Sequence, residues 1–200
     1  VTFVRPNLGE PDEDGAWRTM NLASILGTGV TRDAVARARE LDAKFPEATP
    51  YLDLFDAELS YRRGDLQAAL DLAKPALAKL PQEEALLRFR TMAWEADALR
   101  RLGKLDARPY HEVLQKFPSI LRILDVPLPV SFDSDHSPAA AEAVSRAANS
   151  PRFTEVDGAP FQLFARSTGD AVEICLTDTA GFEFACARGG KDDSVISALD

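Results

Sequence analysis

The stretch Gly64-Asp65-Leu66-Gln67-Ala68-Ala69-Leu70-Asp71-Leu72-Ala73-Lys74-Pro75-Ala76-Leu77-Ala78-Lys79-Leu80-Pro81 decides how the chain is read. It opens on a glycine, which closes a preceding helix in the left-handed conformation, and ends on a proline, which stops its own helix. Between them Ala69, Ala73 and Ala76 recur at helical spacing, a strip of small side chains that lets another helix approach closely. The punctuation recurs on both sides. Ala43-Lys44-Phe45-Pro46 and Gln115-Lys116-Phe117-Pro118 match the closing Ala78-Lys79-Leu80-Pro81 at spacings of 35 and 37 residues, and Gly29 and Gly103 stand where Gly64 does. The unit is helix, glycine turn, helix, proline stop, a hairpin of about 34 residues.

Over residues 14 to 118 this pattern resembles the tetratricopeptide repeat. Ala57 fits the family's small-residue position, while Pro75 inside a helix, Asp53 and Asp56 at apolar positions, and Arg108 and Pro109 in the third unit depart from it. Trp17, Met20, Ile25 and Leu26 mark the first helix, Arg37 and Arg39 the surface of the second, and residues 1 to 13 an extended lead-in with Pro6, Gly9 and Pro11. The resemblance implies a concave surface, made by the first helix of each hairpin, that holds a peptide or partner protein. Its groove positions fall here on Tyr51, Leu54, Glu58, Tyr61 and Arg62, and on Arg90, Ala93, Asp97, Arg100 and Arg101. Arginine grips a carboxylate through two parallel hydrogen bonds and tyrosine adds stiff amphipathic area, so the ligand class is an acidic or carboxyl-terminal peptide. Read as exposed groove residues, Arg62, Arg90 and Arg101 are expected to tolerate charge reversal with little loss of stability.

The 200 residues are 46% hydrophobic and 28% charged, an ordinary globular composition. Apolar runs such as Ile120 to Val130 are broken by Arg122, Asp125 and prolines, too short for a bilayer span. With 23 basic against 32 acidic residues, net charge −9, neither a phosphate backbone nor an anionic membrane is an attractive partner. The acidity is concentrated from Ser119 onward, where 6 basic residues face 13 acidic ones. The start at Val1 and the stop within a starting helix, Asp192 to Leu199, are read as the marks of an excised piece.

Residues 119 to 200 form a second domain on this reading, truncated at its C-terminus. Ile120 to Leu124 finishes a short helix and Val126 to Phe132, with its prolines, is extended. Ser137 followed by Pro138 is an N-cap and first-turn proline opening a helix over Ala139 to Ala148. Phe161 to Arg166, Val172 to Thr177 and Phe182 to Arg188 are strands, with turns at Ser167 to Asp170 and Asp178 to Gly181. The expected fold is α+β: a helical-hairpin array, then a small α/β sandwich with helices on one face of its sheet. Asn149-Ser150-Pro151-Arg152-Phe153 and Ile174-Cys175-Leu176-Thr177-Asp178-Thr179-Ala180-Gly181 resemble the α/β domains of bacterial envelope lipoproteins of the curli-export and Tol-associated kind. That resemblance implies a periplasmic or envelope location, against a cytoplasmic alternative.

Few residues point to catalysis. Asp133-Ser134-Asp135-His136 is a polar cluster at a strand end, but Val144 stands where a calcium loop needs glutamate, and strand termination with helix capping accounts for it. His111 reads as a structural histidine, and neither histidine has partners at zinc spacing. Gly27-Thr28-Gly29 lacks a phosphate-loop context, and Gly189-Gly190-Lys191 reads as a turn. No enzyme, cofactor or metal is therefore expected. A two-residue turn at Ala180-Gly181 sets Cys175 directly across from Cys186, which permits either a disulfide, and with it an oxidising compartment, or two buried thiols. A longer loop would break that register. The function expected is a non-catalytic adaptor or scaffold. The alternative is a small catalytic or ligand-binding α/β domain around Asp133, Asp135 and His136, recruited by the repeats, and a deep pocket at the end of the first strand would favour it.

Overall fold

The computed structural model describes residues 49–190. The expected lead-in, the first hairpin with Gly29, Pro46, Arg37 and Arg39, and the starting helix at Asp192 to Leu199 lie outside them. The chain divides into two compact units between Asp106 and Ala107.

In the first unit the structure describes three helices: α1 (Thr49–Arg63), α2 (Leu66–Lys79) and α3 (Ala85–Arg101). Gly64 ends α1 as the sequence requires, with φ at 87°. Its N–H donates to the Tyr61 carbonyl and that of Asp65 to the Ser60 carbonyl, both at 2.9 Å, which satisfies carbonyls that the helix end leaves open. Gly103 repeats the device after α3, with φ at 77°. There the Gly103 and Lys104 N–H groups reach the Arg100 and Leu99 carbonyls at 2.9 and 2.8 Å. The small-residue strip of α2 is wholly buried at Ala69, Ala73 and Ala76, and Ala57 of α1 is buried too, so α1 and α2 pack closely as a hairpin. α2 runs through Pro75 and stops at Lys79, ahead of Pro81. The Arg88 guanidinium donates to the carbonyls of Leu80 and Pro81 there. Residues 49–116 contain no strand.

The second unit comprises α4 (Ala107–Lys116), α5 (Ser119–Ile123), β1 (Leu128–Ser134), α6 (Pro138–Ala148), β2 (Phe153–Glu155), β3 (Phe161–Thr168), β4 (Ala171–Asp178) and β5 (Glu183–Gly190). Helix α4 was expected to close the third hairpin. It belongs with the sheet because Tyr110 and Val113 are wholly buried and the Tyr110 ring meets Phe161 of β3 edge-on at 6.4 Å. The sheet order is β2-β1-β3-β4-β5. β1 runs parallel to both of its neighbours, Val130 pairing with Glu155 on one side and Phe161 on the other, and β3, β4 and β5 form an antiparallel meander. β2 was not anticipated, since three residues carry too little alternation to be seen. Gly189 and Gly190 extend β5 instead of turning.

Period-two alternation gives this sheet a buried face. Val130, Phe161, Leu163, Ala165, Val172, Ile174, Leu176 and Ala187 point inward, each large side chain worth roughly 1.5–3 kcal/mol. Helix α6 packs over this sheet on β1, β3 and β4 with Ala140 and Ala147 buried. Its start is built as the sequence predicts, the Ala140 N–H reaching Ser137 Oγ at 3.3 Å with Pro138 in the first turn. Among the described residues no helix is long and apolar enough to cross a membrane.

Candidate functional site

The groove positions of α1 and α3 come together, and they meet one another. Arg90 Nε and Nη2 donate to the two carboxylate oxygens of Glu58 at 2.8 Å each, a bidentate pair buried on both sides. Arg62, one turn along α1, donates to Glu58 Oε1 at 3.1 and 2.7 Å. A second set forms around Asp97. The Tyr61 hydroxyl donates to its Oδ2 at 2.8 Å, Arg100 reaches Oδ1 at 3.0 and 2.6 Å, and Arg101 Nη1 lies 3.9 Å from Oδ2. The Tyr61 ring stacks on Trp94 at 5.6 Å, and Arg101 lies 6.0 Å from the ring centroid on its own account.

Burial sorts these residues. Leu54, Glu58, Tyr61, Arg90, Ala93 and Asp97 are buried, so the expectation that Arg90 is an exposed residue tolerant of charge reversal is corrected: its charge is enclosed with that of Glu58. The side chains of Arg62 and Arg101 are 37% and 43% exposed, and that of Arg100 is 18% exposed. Tyr51 is half-buried and donates to Glu84 Oε1 at 2.8 Å. Its burial, and then its bond to Glu84, push the phenol up to about 12. On the same helix as Arg90, burial raises the Glu95 carboxyl to about 7. Two buried carboxylates thus orient Arg62 and Arg101, whose side chains are partly exposed.

In the α/β unit the Asp133 to His136 cluster is the last two residues of β1 and the turn that leads to the Ser137 cap. Asp135 accepts from the Ser137 N–H at 2.9 Å and from the Ser167 N–H at 2.7 Å. Hydrogen bonds from Ser137 first, and then from Ser167, hold its carboxyl below the usual range. His136 sits in the left-handed region at φ 63°. A cleft of this unit lies near the start of β1. It has a volume of about 680 Å³ and is walled by Leu121, Val126, Leu128, Phe153, Leu176 and Phe184, with Arg122, Arg152 and Asp125 also on its lining. These residues come from separate segments of chain, and no local motif announces them. A pocket at the other end of β1, around Asp133 and His136, is what would favour a catalytic or ligand-binding α/β domain; this cleft lies at the start of the strand.

His111 of α4 lies 3.3 Å from Asp178 Oδ2 through Nε2, with Phe182 and Phe184 against its ring at 5.8 and 4.9 Å. Asp178 also accepts from the Phe182 and Ala180 N–H groups at 2.8 and 2.9 Å. Those bonds, the Phe182 one foremost, keep its carboxyl below the usual range. They build a loop over residues 179–182, longer than the two-residue turn expected. The register survives because one extra residue, Phe184, bulges from β5: Thr177 pairs with Glu183, but Leu176 pairs with Ala185 and Cys175 with Cys186. The two cysteines form a disulfide with Cα atoms 4.2 Å apart.

No family model matches the chain, and no curated protein or solved structure matches it.

Proposed function

We propose that this protein is a non-catalytic adaptor whose helical unit receives an acidic peptide, and that it works in a cell-envelope assembly. The observation that carries this reading is the α1–α3 polar network, in which Glu58 orients Arg62 and Asp97 lies beside Arg101, two arginines whose side chains are 37% and 43% exposed. Orienting those side chains in advance removes an ordering cost from binding, and a guanidinium edge is suited to a carboxylate. The disulfide supports an oxidising compartment, where such bonds persist. The hairpin pattern from Thr49 to Arg101 is of the kind that serves peptide recognition in helical-repeat proteins.

The test is fluorescence anisotropy with a dye-labelled peptide of alternating Glu and Gly, against a Lys and Gly control of equal length. The acidic peptide should bind, more weakly as salt rises, and the Arg62→Gln, Arg101→Gln double variant should lose about tenfold in affinity, near 1.4 kcal/mol. Equal binding of both peptides, or an unchanged double variant, rejects the site.

The cleft of the α/β unit favours a second reading, a site for a small amphipathic anion. Its volume of about 680 Å³ falls within the range of small-molecule pockets, and its apolar walls carry Arg122 as the cation offered to a carboxylate, with Asp125 beside it. Displacement of a dansylated long-chain carboxylate by dodecanoate checks it. Leu176→Trp, which fills the cleft, should abolish that binding while leaving the acidic peptide unaffected.

A further inference from the structure

We propose that the β4–β5 hairpin is a redox-gated metal site: with the Cys175–Cys186 disulfide reduced, the two thiolates and the Glu183 carboxylate bind a divalent zinc-type cation. The bulge carries this. In an unbroken ladder Glu183 would pair with Asp178 and point to the opposite face of the sheet from Cys186, because a shift of one residue flips a side chain across. The extra residue Phe184 moves Glu183 into register with Thr177, which shares a face with Cys175 two residues away. The carboxylate is thereby turned onto the cysteine face. One oxygen of Glu183 and the sulfurs of Cys175 and Cys186 all lie within 4.8 Å of one another. Bulges re-aim side chains in this way beside functional sites.

The donor set fits the cation. Zinc takes thiolate at about 2.3 Å and carboxylate at about 2.0–2.2 Å, and with three protein ligands it keeps a fourth position for water. Thiolate donors also select zinc over calcium or magnesium, which prefer sets made only of oxygen.

The gate is ordinary thiol–disulfide exchange with a dithiol reductant. Cys186 is exposed and Cys175 is buried, so the reductant's thiolate attacks Cys186 Sγ, breaks the S–S bond and releases Cys175 as thiolate. The reductant's second thiol then displaces Cys186 and closes the reductant's own disulfide. The hairpin has gained two electrons and two protons, and the cation replaces those two thiol protons on binding. Disulfide and metal are mutually exclusive states of one pair of sulfurs. Metal should therefore hold the reduced form against reoxidation.

The full chain, reduced with a dithiol and separated from it under argon, would be titrated with Co²⁺ while the sulfur-to-cobalt absorption is followed, and then with Zn²⁺ in competition. One Co²⁺ per chain with tetrahedral d–d bands, displaced by Zn²⁺, is expected of the reduced protein, and neither band of the oxidised one. Glu183→Gln, which leaves both cysteines and the fold in place, should weaken Zn²⁺ binding by more than about tenfold. Zn²⁺ should also raise the proportion of wild-type chain left reduced in a fixed mixture of oxidised and reduced dithiol. Equal metal binding by the oxidised chain, no binding by a reduced chain whose far-UV circular dichroism is unchanged, or full affinity in Glu183→Gln overturns the proposal.

Discussion

The two units solve the problem of a unique interior in different ways. Among the described residues every buried polar side chain, Glu58, Ser60, Arg90, Thr91 and Asp97, lies in the helical unit, while the buried side chains of the α/β unit are apolar or aromatic. A sheet carries its alignment in the backbone ladder: once Val130 pairs with Phe161 and Leu163 with Leu176, each inward side chain has its place. Helices satisfy their backbones internally and can slide past one another, so side chains must specify which turn meets which. Glu58 with Arg90, and Tyr61 with Asp97, do this for α1 against α3. Both units bury apolar side chains for stability, and the expectation from the comparison is that the ion pairs of the helical unit add register to its apolar core.

The sharpest way to break that comparison is Arg90→Ala, which leaves the enclosed Glu58 carboxylate with Arg62 as its remaining charged partner and should cost about 2–4 kcal/mol, below the full cost of an unpaired buried charge. The double variant Glu58→Leu, Arg90→Leu should regain most of it, because two apolar groups of similar volume carry no desolvation penalty. Trp94 is buried on α3, so urea unfolding followed by its fluorescence, in a Trp17→Phe background, reports the helical unit. A double variant as unstable as the single one would mean that the pair contributes stability and not register. The matching change in the other unit, Leu163→Ala in the wholly buried centre of β3, should cost about 3 kcal/mol as lost burial plus a cavity. It should shift the far-UV circular dichroism transition and leave the tryptophan transition where it was.

Legibility follows the same division of labour. Gly64 and Gly103 announced the helix ends because only a left-handed residue closes them so cheaply, and Ser137-Pro138 announced α6 because cap and first-turn proline act locally. The alternating runs of β3, β4 and β5 were read to within two residues. Three features were not legible. The allegiance of α4 depends on Tyr110 meeting Phe161, a contact across 51 positions of sequence. The pairing of Arg90 with Glu58 depends on where α1 falls against α3, since the same charges on separate helices would face water. The bulge at Phe184 cannot be told from a plain hairpin by pattern, because it restores the Cys175–Cys186 pairing that the shorter turn also gives. In each case the deciding interaction joins residues that no local period connects.

The smallest expected effect concerns Glu95, which sits on α3 with no role in the two pairs and tests whether partial burial in the helical unit penalises a charge without compensation. Burial raises its carboxyl from 4.5 to about 7, so between those values the folded chain keeps a proton that the unfolded chain has lost. The unfolded state then binds fewer protons, and stability falls as pH rises from about 4.5 to about 7 and levels off above. Gln cannot ionise, so Glu95→Gln should match the wild type at pH 4 and exceed it by roughly 1–2 kcal/mol at pH 8. Urea midpoints by tryptophan fluorescence at the two pH values read the difference directly. A variant no more stable than the wild type at pH 8 would show that water reaches the ionised carboxylate, so that its partial burial carries no penalty.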